Sequence, residues 1–98
     1  MSLDLISIRR ELHQVPELAF HEFETKAILL KYLKTLPDIT IIEFFNSPGI
    51  LVEYSQGNGL YRLFRADMDA LPVKETTGCD FMSRNEGIMH SCGHDVHM

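Results

Sequence analysis

The sequence predicts an α/β fold: two helices, then a three-stranded portion of sheet, with a further helix beginning near His94. Three observations support this. Apolar residues recur every three or four positions through the first third of the chain. Short runs rich in Ile, Val and aromatic residues take over after Pro37. Clusters of turn-forming residues separate those runs.

In the first element, Leu3 to Val15, the residues Leu5, Ile8, Leu12 and Val15 fall on one helical stripe. Ser2 or Asp4 can cap it, and Pro16 lies just beyond its end. A second helix is expected from about Glu22 to Leu36, with Phe23, Ala27, Leu30 and Leu33 on one stripe. Glu22 and Glu24 near its start and Lys31 and Lys34 near its end suit the helix dipole, and Pro37-Asp38 stops it. Ile39 to Phe45 and Ile50 to Tyr54 read as strands joined by the turn Asn46-Ser47-Pro48-Gly49. After a second turn, Gln56-Gly57-Asn58-Gly59, Leu60 to Ala66 is apolar on much of both faces, the pattern of a buried central strand. The segment from Ala70 to Met89 has no clear period, and loops of that length inside compact domains are often functional.

Ninety-eight residues bound the chain at one domain, and 45% hydrophobic with 23% charged residues is an ordinary globular composition, so the chain should fold. The net charge of -5, with Lys and Arg scattered along the chain, argues against a nucleic-acid partner. No apolar run approaches the roughly 20 residues needed to cross a bilayer. The N-terminus carries no secretory pattern, which predicts a cytoplasmic protein without membrane association. Two cysteines make no disulfide framework, and Cys79 reads as a small, partly buried residue.

Two places carry chemistry. Asp67 and Asp69 directly follow the third expected strand, where an open α/β sheet binds ligands, although turn hydrogen bonds would also account for them. The second is His90-Ser91-Cys92-Gly93-His94-Asp95-Val96-His97, three histidines interleaved with a thiol and a carboxylate. Thiolate and imidazole are preferred ligands of zinc and related metals, and Gly93 would let the backbone bend so that Cys92 and His94 face one ion. Asp95-Val96-His97 reads as the start of a helix. On such a helix His94 and His97 share a face, which makes His97 a metal-adjacent or substrate-facing candidate. No zinc-finger spacing is present. His13 reads as a helix C-terminal histidine interacting with the dipole, His21 as a residue preceding the second helix, and Tyr32, Tyr54 and Tyr61 as packing residues.

Three motifs occur together and in order: Arg10-Glu11-Leu12-His13-Gln14-Val15-Pro16-Glu17-Leu18-Ala19-Phe20, Arg65-Ala66-Asp67-Met68-Asp69-Ala70-Leu71-Pro72, and Met89-His90-Ser91-Cys92-Gly93-His94-Asp95-Val96-His97. Over essentially the whole chain they resemble the opening of the metal-dependent amidohydrolases, the group that includes hippurate hydrolases, indoleacetyl-amino-acid hydrolases and N-acetyl-diaminopimelate deacetylases among the zinc-dependent acylases and carboxypeptidases. The resemblance implies a zinc-peptidase-like catalytic domain interrupted by a smaller dimerisation domain. It also implies a centre of two divalent metals, zinc, manganese or nickel, that activates water to cleave the amide bond of an N-acyl amino acid. By position, Cys92 and His94 match the family's first two metal ligands and Asp69 the aspartate that supports the centre. Asp67 stands where related peptidases place a ligating histidine. His90 and His97 are further candidate contributors.

The family's adjacent glutamates and two further ligating histidines have no match here. The expectation is therefore an N-terminal part of a catalytic domain, inactive alone because an open zinc site already needs three protein ligands. Uncovered strand edges would favour homo-oligomers. The alternative is a stand-alone, non-enzymatic domain that self-associates and binds metal weakly through His90, Cys92 and His94. A parent from a neighbouring peptidase or deacylase branch is disfavoured by the Cys-Gly-His-Asp run.

Overall fold

A computed structural model describes residues 3–57 and 59–98. Its elements are α1 (Leu5–Gln14), α2 (Phe23–Leu33), β1 (Ile39–Glu43), β2 (Ile50–Tyr54) and α3 (His94–His97).

Helix α1 starts where Asp4, in extended backbone, accepts a hydrogen bond from the Ser7 N–H at 3.2 Å. Ser2, the other expected cap, lies outside the described residues. Only the C-terminal half of the expected stripe reaches the interior: Leu12 is 1% exposed, whereas Leu5 is 72% exposed. Helix α2 is capped from a distance. Its own N-cap, Glu22, makes no capping bond. Instead the Glu17 carboxylate accepts from the Glu24 N–H at 3.1 Å, the Thr25 N–H at 2.6 Å and the Thr25 hydroxyl at 2.7 Å. These bonds satisfy two of the helix's free N–H groups and explain how Thr25 can be completely buried. The helix ends at Leu33, earlier than the sequence suggested, because the Thr35 and Leu36 N–H groups bond three residues back and tighten the chain into turns. Glu11 ties the two helices together, accepting from Lys31 at 2.6 Å and from the Tyr32 hydroxyl.

Strands β1 and β2 form an antiparallel hairpin in the register Ile39 with Tyr54 through Glu43 with Ile50. Phe44 and Phe45, expected at the end of the first strand, lie in the connecting turn. Lys26 of α2 fastens that turn, donating to the Ser47 carbonyl at 3.1 Å and pairing with Glu43 at 3.2 Å.

The third expected strand does not form. The sheet has two strands among the described residues, and Leu60 to Ala66 is irregular. Leu60, Leu63 and Phe64 are each at least 85% exposed. A strand apolar on both faces needs a neighbour along an edge and a layer over each face, and no described segment supplies either. Consistent with this, the chain exposes 7185 Å², against about 5,700 Å² for a compact monomer of its mass.

The long aperiodic segment is well anchored. Leu71 and Met89 exchange backbone hydrogen bonds at 3.0 Å, which draws its ends together. Ala70 N–H donates to Glu17 O and Arg84 N–H to Gln14 O, each at 2.8 Å, and the Asn85 amide donates to Pro16 O at 2.9 Å. The segment is thereby pinned along the α1–α2 connection, under the C-terminal end of α1. No helix among the described residues is long and apolar enough to cross a membrane.

Candidate metal centre

Gly93 adopts φ +80° and serves as the N-cap of α3, its carbonyl accepting from the Val96 and His97 N–H groups. This left-handed backbone, which favours glycine, interrupts the chain between Cys92 and His94, whose side chains a continuous helix would point apart. The helix begins at His94, where the sequence suggested a further helix would start.

His94 is oriented by the Asp67-Met68-Asp69 strip. Its Nδ1 lies 2.8 Å from the Asp69 carbonyl and 3.0 Å from the Asp69 carboxylate. The carbonyl can only accept, so Nδ1 carries a proton, and in the neutral ring it is Nε2 that offers the lone pair. Cys92 is exposed, a free thiol without a hydrogen bond among the described residues. A neutral imidazole with an open Nε2 and a thiol two residues away are suitable donors for a transition metal, and the carboxylate behind His94 is the usual orienting partner. The donor set is partial. Among the described residues, no group of three His, Cys, Asp or Glu side chains is placed to hold an ion.

The other candidates have different positions. Asp67 pairs with Arg65 at 2.7 Å and faces solvent. The exposed His97 ring packs over Gly93, its Cε1 and Nε2 both 3.8 Å from where a Cβ would stand. Its centroid is 6.3 Å from that of His94. His90 is 3% exposed, and neither ring nitrogen has a hydrogen-bond partner among the described residues. Burial lowers its pKa, partly opposed by the Asp95 carboxylate. Glu22, close enough to Asp69 and Glu17 to feel their charge, is pushed up from the ordinary carboxylate range, chiefly by burial.

Sequence reasoning missed the most developed polar cluster, which lies behind the ligand loop. His13 of α1 is 3% exposed and bridges two carboxylates. Its Nδ1 is 2.7 Å from Asp95 Oδ2, and its Nε2 is 3.0 and 3.1 Å from the two oxygens of Glu75. Arg9 Nε lies 2.9 Å from the same Asp95 oxygen. Burial alone would raise the Glu75 carboxyl, but hydrogen bonds from the Thr77 hydroxyl, the Ser83 N–H and His13 overcome this and hold it at about 2. Phe81 covers the cluster, edge-on to His13 at 5.7 Å and beneath the Arg9 and Arg10 guanidinium groups. Thus His13 sits at the centre of a buried polar network, where the sequence suggested a helix-end histidine. The available signal was the placement of Arg9 and His13 on one helical face beside buried Leu12. Their partners, Glu75 and Asp95, lie 62 and 82 residues away from His13.

Residues 63–98, which contain the Asp67-Asp69 strip and the whole ligand loop, match the model of Peptidase family M20/M25/M40. Over these residues the chain is similar to the M20 peptidases. It is 50% identical over 97% of its length to an N-acetyldiaminopimelate deacetylase of Lacticaseibacillus casei, and 47% identical over 98% to that of Pediococcus pentosaceus. It spans about a quarter of these curated relatives, 26% of each. Among solved structures it resembles the Bacillus subtilis YXEP protein, a dinuclear metal-binding M20 peptidase, with a TM-score of 0.86 and 39% identity over 95% of this chain and 26% of that one. An α/β fold of M20 type is thereby established, with three helices and a two-stranded sheet among the described residues.

Proposed function

We propose that Cys92 and His94 are two ligands of a dinuclear metal centre in an amidohydrolase that cleaves the amide bond of N-acyl amino acids, with N-acetyldiaminopimelate the first substrate to test. The observation that carries this reading is the arrangement around His94: Nδ1 is committed to Asp69, leaving Nε2 available beside the exposed Cys92 thiol. When bound, divalent ions would polarise the scissile carbonyl and lower the pKa of attacking water.

This chain's residues hold and orient. Asp69 orients the His94 ring through Nδ1, the left-handed turn at Gly93 sets the backbone between the two donors, and the bridge between Leu71 and Met89 joins the aspartate strip to the ligand loop. The ions would be zinc, manganese or nickel; of these, thiolate favours zinc, imidazole suits zinc and nickel, and manganese would draw on oxygen ligands. The remaining ligands and the general base would come from parts of the family fold with no counterpart in these 98 residues, so the isolated chain is inactive. The enzyme works in the cytoplasm and associates through apolar surface such as Leu60 to Phe64, which is exposed here.

The test is hydrolysis of N-acetyldiaminopimelate and hippurate, with added Mn(II) or Zn(II), by the natural gene product that carries these residues and by the 98-residue chain. Turnover by the gene product that disappears in Cys92→Ser and His94→Ala supports the proposal. Robust turnover by the isolated chain would overturn the claim that further ligands are essential. Retained activity in Cys92→Ser would remove the thiolate from the site. A self-associating chain whose gene product never hydrolyses these substrates would favour a non-enzymatic binding domain.

A further inference from the structure

The buried network behind the ligand loop joins three separate stretches of chain. His13 comes from α1, Glu75 from the long anchored segment, and Asp95 from α3, immediately after His94. Helix α3 has only four residues, and a helix that short has little stability of its own. Its position therefore depends on what holds Asp95, which is 2% exposed and lies against His13 Nδ1 and Arg9 Nε. The other fixed point of the loop is His94 Nδ1 on Asp69. Cys92, between the bridge at Met89 and the turn at Gly93, has no anchor of its own among the described residues.

The chemistry of the bridge favours rigidity. Glu75, held at about 2, is ionised near neutral pH and can only accept, so His13 Nε2 donates to it. Nδ1 lies 2.7 Å from an Asp95 oxygen that Arg9 Nε also approaches at 2.9 Å. A ring held at each nitrogen by a different carboxylate is fixed in rotation, and releasing either partner deprives a buried polar group of a hydrogen bond.

We propose that His13 is a positioning residue for the metal centre: by bridging Glu75 and Asp95 it holds α3 so that Cys92 and His94 present their donors to the same metal pair. The inference rests on the metal-centre reading above. It assigns no contact between His13 and metal or substrate. Its action passes through Asp95 to the neighbouring ligand His94.

The experiment uses cobalt(II) as the probe in the natural gene product that carries these residues. Thiolate ligation by Cys92 gives a sulfur-to-cobalt charge-transfer band, and titration of that band yields the affinity. The wild type is expected to show the band and Cys92→Ser to lose it. His13→Gln, which can keep one hydrogen bond but cannot bridge with the imidazole geometry, is expected to weaken cobalt binding about 10- to 100-fold, the usual effect of losing an orienting partner. It is also expected to change the band's intensity at saturation. Glu75→Gln should weaken binding in the same direction. Leu12→Ala, a core truncation beside His13, serves as the control for general destabilisation and should leave the band and affinity of the folded protein unchanged.

A wild type without the band sinks the metal-centre reading and this inference with it. A wild type with the band, but with His13→Gln folded and unchanged in affinity, overturns the positioning role alone. Equal losses in His13→Gln and Leu12→Ala, or failure of both His13→Gln and Glu75→Gln to fold, would make the network merely structural and also overturn it.

Discussion

Replacing Glu75 by Gln tests whether the buried network stabilises the fold. The wild-type carboxylate accepts from His13 at 3.0 and 3.1 Å, from the Ser83 N–H at 2.8 Å and from the Thr77 hydroxyl, with its side chain 2% exposed. Glutamine keeps one oxygen but turns an N–H₂ group toward donors and removes the charge that they face. Removing one member of a buried, hydrogen-bonded ion pair costs roughly 3–5 kcal/mol. A second route gives a similar size. The folded carboxyl sits at about 2 instead of 4.5, a displacement worth up to about 3 kcal/mol and about 2 kcal/mol after allowing for screening by nearby solvent. The sign follows from the direction. A carboxyl lowered on folding contributes stability that is complete above 4.5 and is lost as pH falls from there toward about 2. Urea denaturation followed by tyrosine fluorescence suits a chain with three tyrosines and no tryptophan. Near pH 7 the variant should be about 2–4 kcal/mol less stable than wild type, and the gap should narrow by about 1 kcal/mol as pH falls from 5 toward 3. Parallel acid limbs, or a difference below about 0.5 kcal/mol at pH 7, would refute this account of the network.

Other substitutions probe the remaining supports. Glu17→Ala removes the carboxylate that caps α2 through Glu24 and Thr25, and should cost about 1–3 kcal/mol in denaturation; Glu17→Gln, which keeps an acceptor, should cost less. Gly93→Ala meets only an ordinary van der Waals contact with the His97 ring, but it forces a side chain into φ +80°. The expected loss is about 1 kcal/mol in stability, with weaker cobalt binding in the titration above, and unchanged stability would show that the turn relaxes. Leu12→Ala empties the most buried apolar position of α1 and should cost about 2–4 kcal/mol by urea denaturation.

What was legible in the sequence was whatever a short stretch could determine alone. Helices α1 and α2 follow from apolar spacing and the prolines beyond them, and the hairpin from two β-branched runs around Asn46 to Gly49. Their limits were less legible, because the turns at Thr35 and Leu36 and the hairpin turn at Phe44 and Phe45 depend on local hydrogen bonding and on the Lys26 tether. Leu60 to Ala66 has the composition of a central strand, but composition records the environment a segment needs and pairing requires that environment to be present. With no neighbour among the described residues, the same apolar side chains lie exposed.

The site divides along the same line. Cys92, Gly93 and His94 are contiguous, so their donor chemistry and the left-handed turn between them could be inferred from residue type. Asp69 could be placed near them only through the family resemblance, and its contact with His94 spans 25 residues. His13 shows the limit most clearly. In sequence it is a histidine near a helix end, a position where solvent and the helix dipole account for most imidazoles. Its burial between Glu75 and Asp95 arises because the 70–89 segment folds back onto the C-terminal end of α1 while α3 closes from the other side. Neither motion has a local signature. A buried histidine that joins three distant pieces of chain, one of them adjacent to a metal ligand, connects the stability of this fold to the geometry of its site. That connection is why the cobalt titration and the acid limb of the Glu75→Gln variant should respond to the same network.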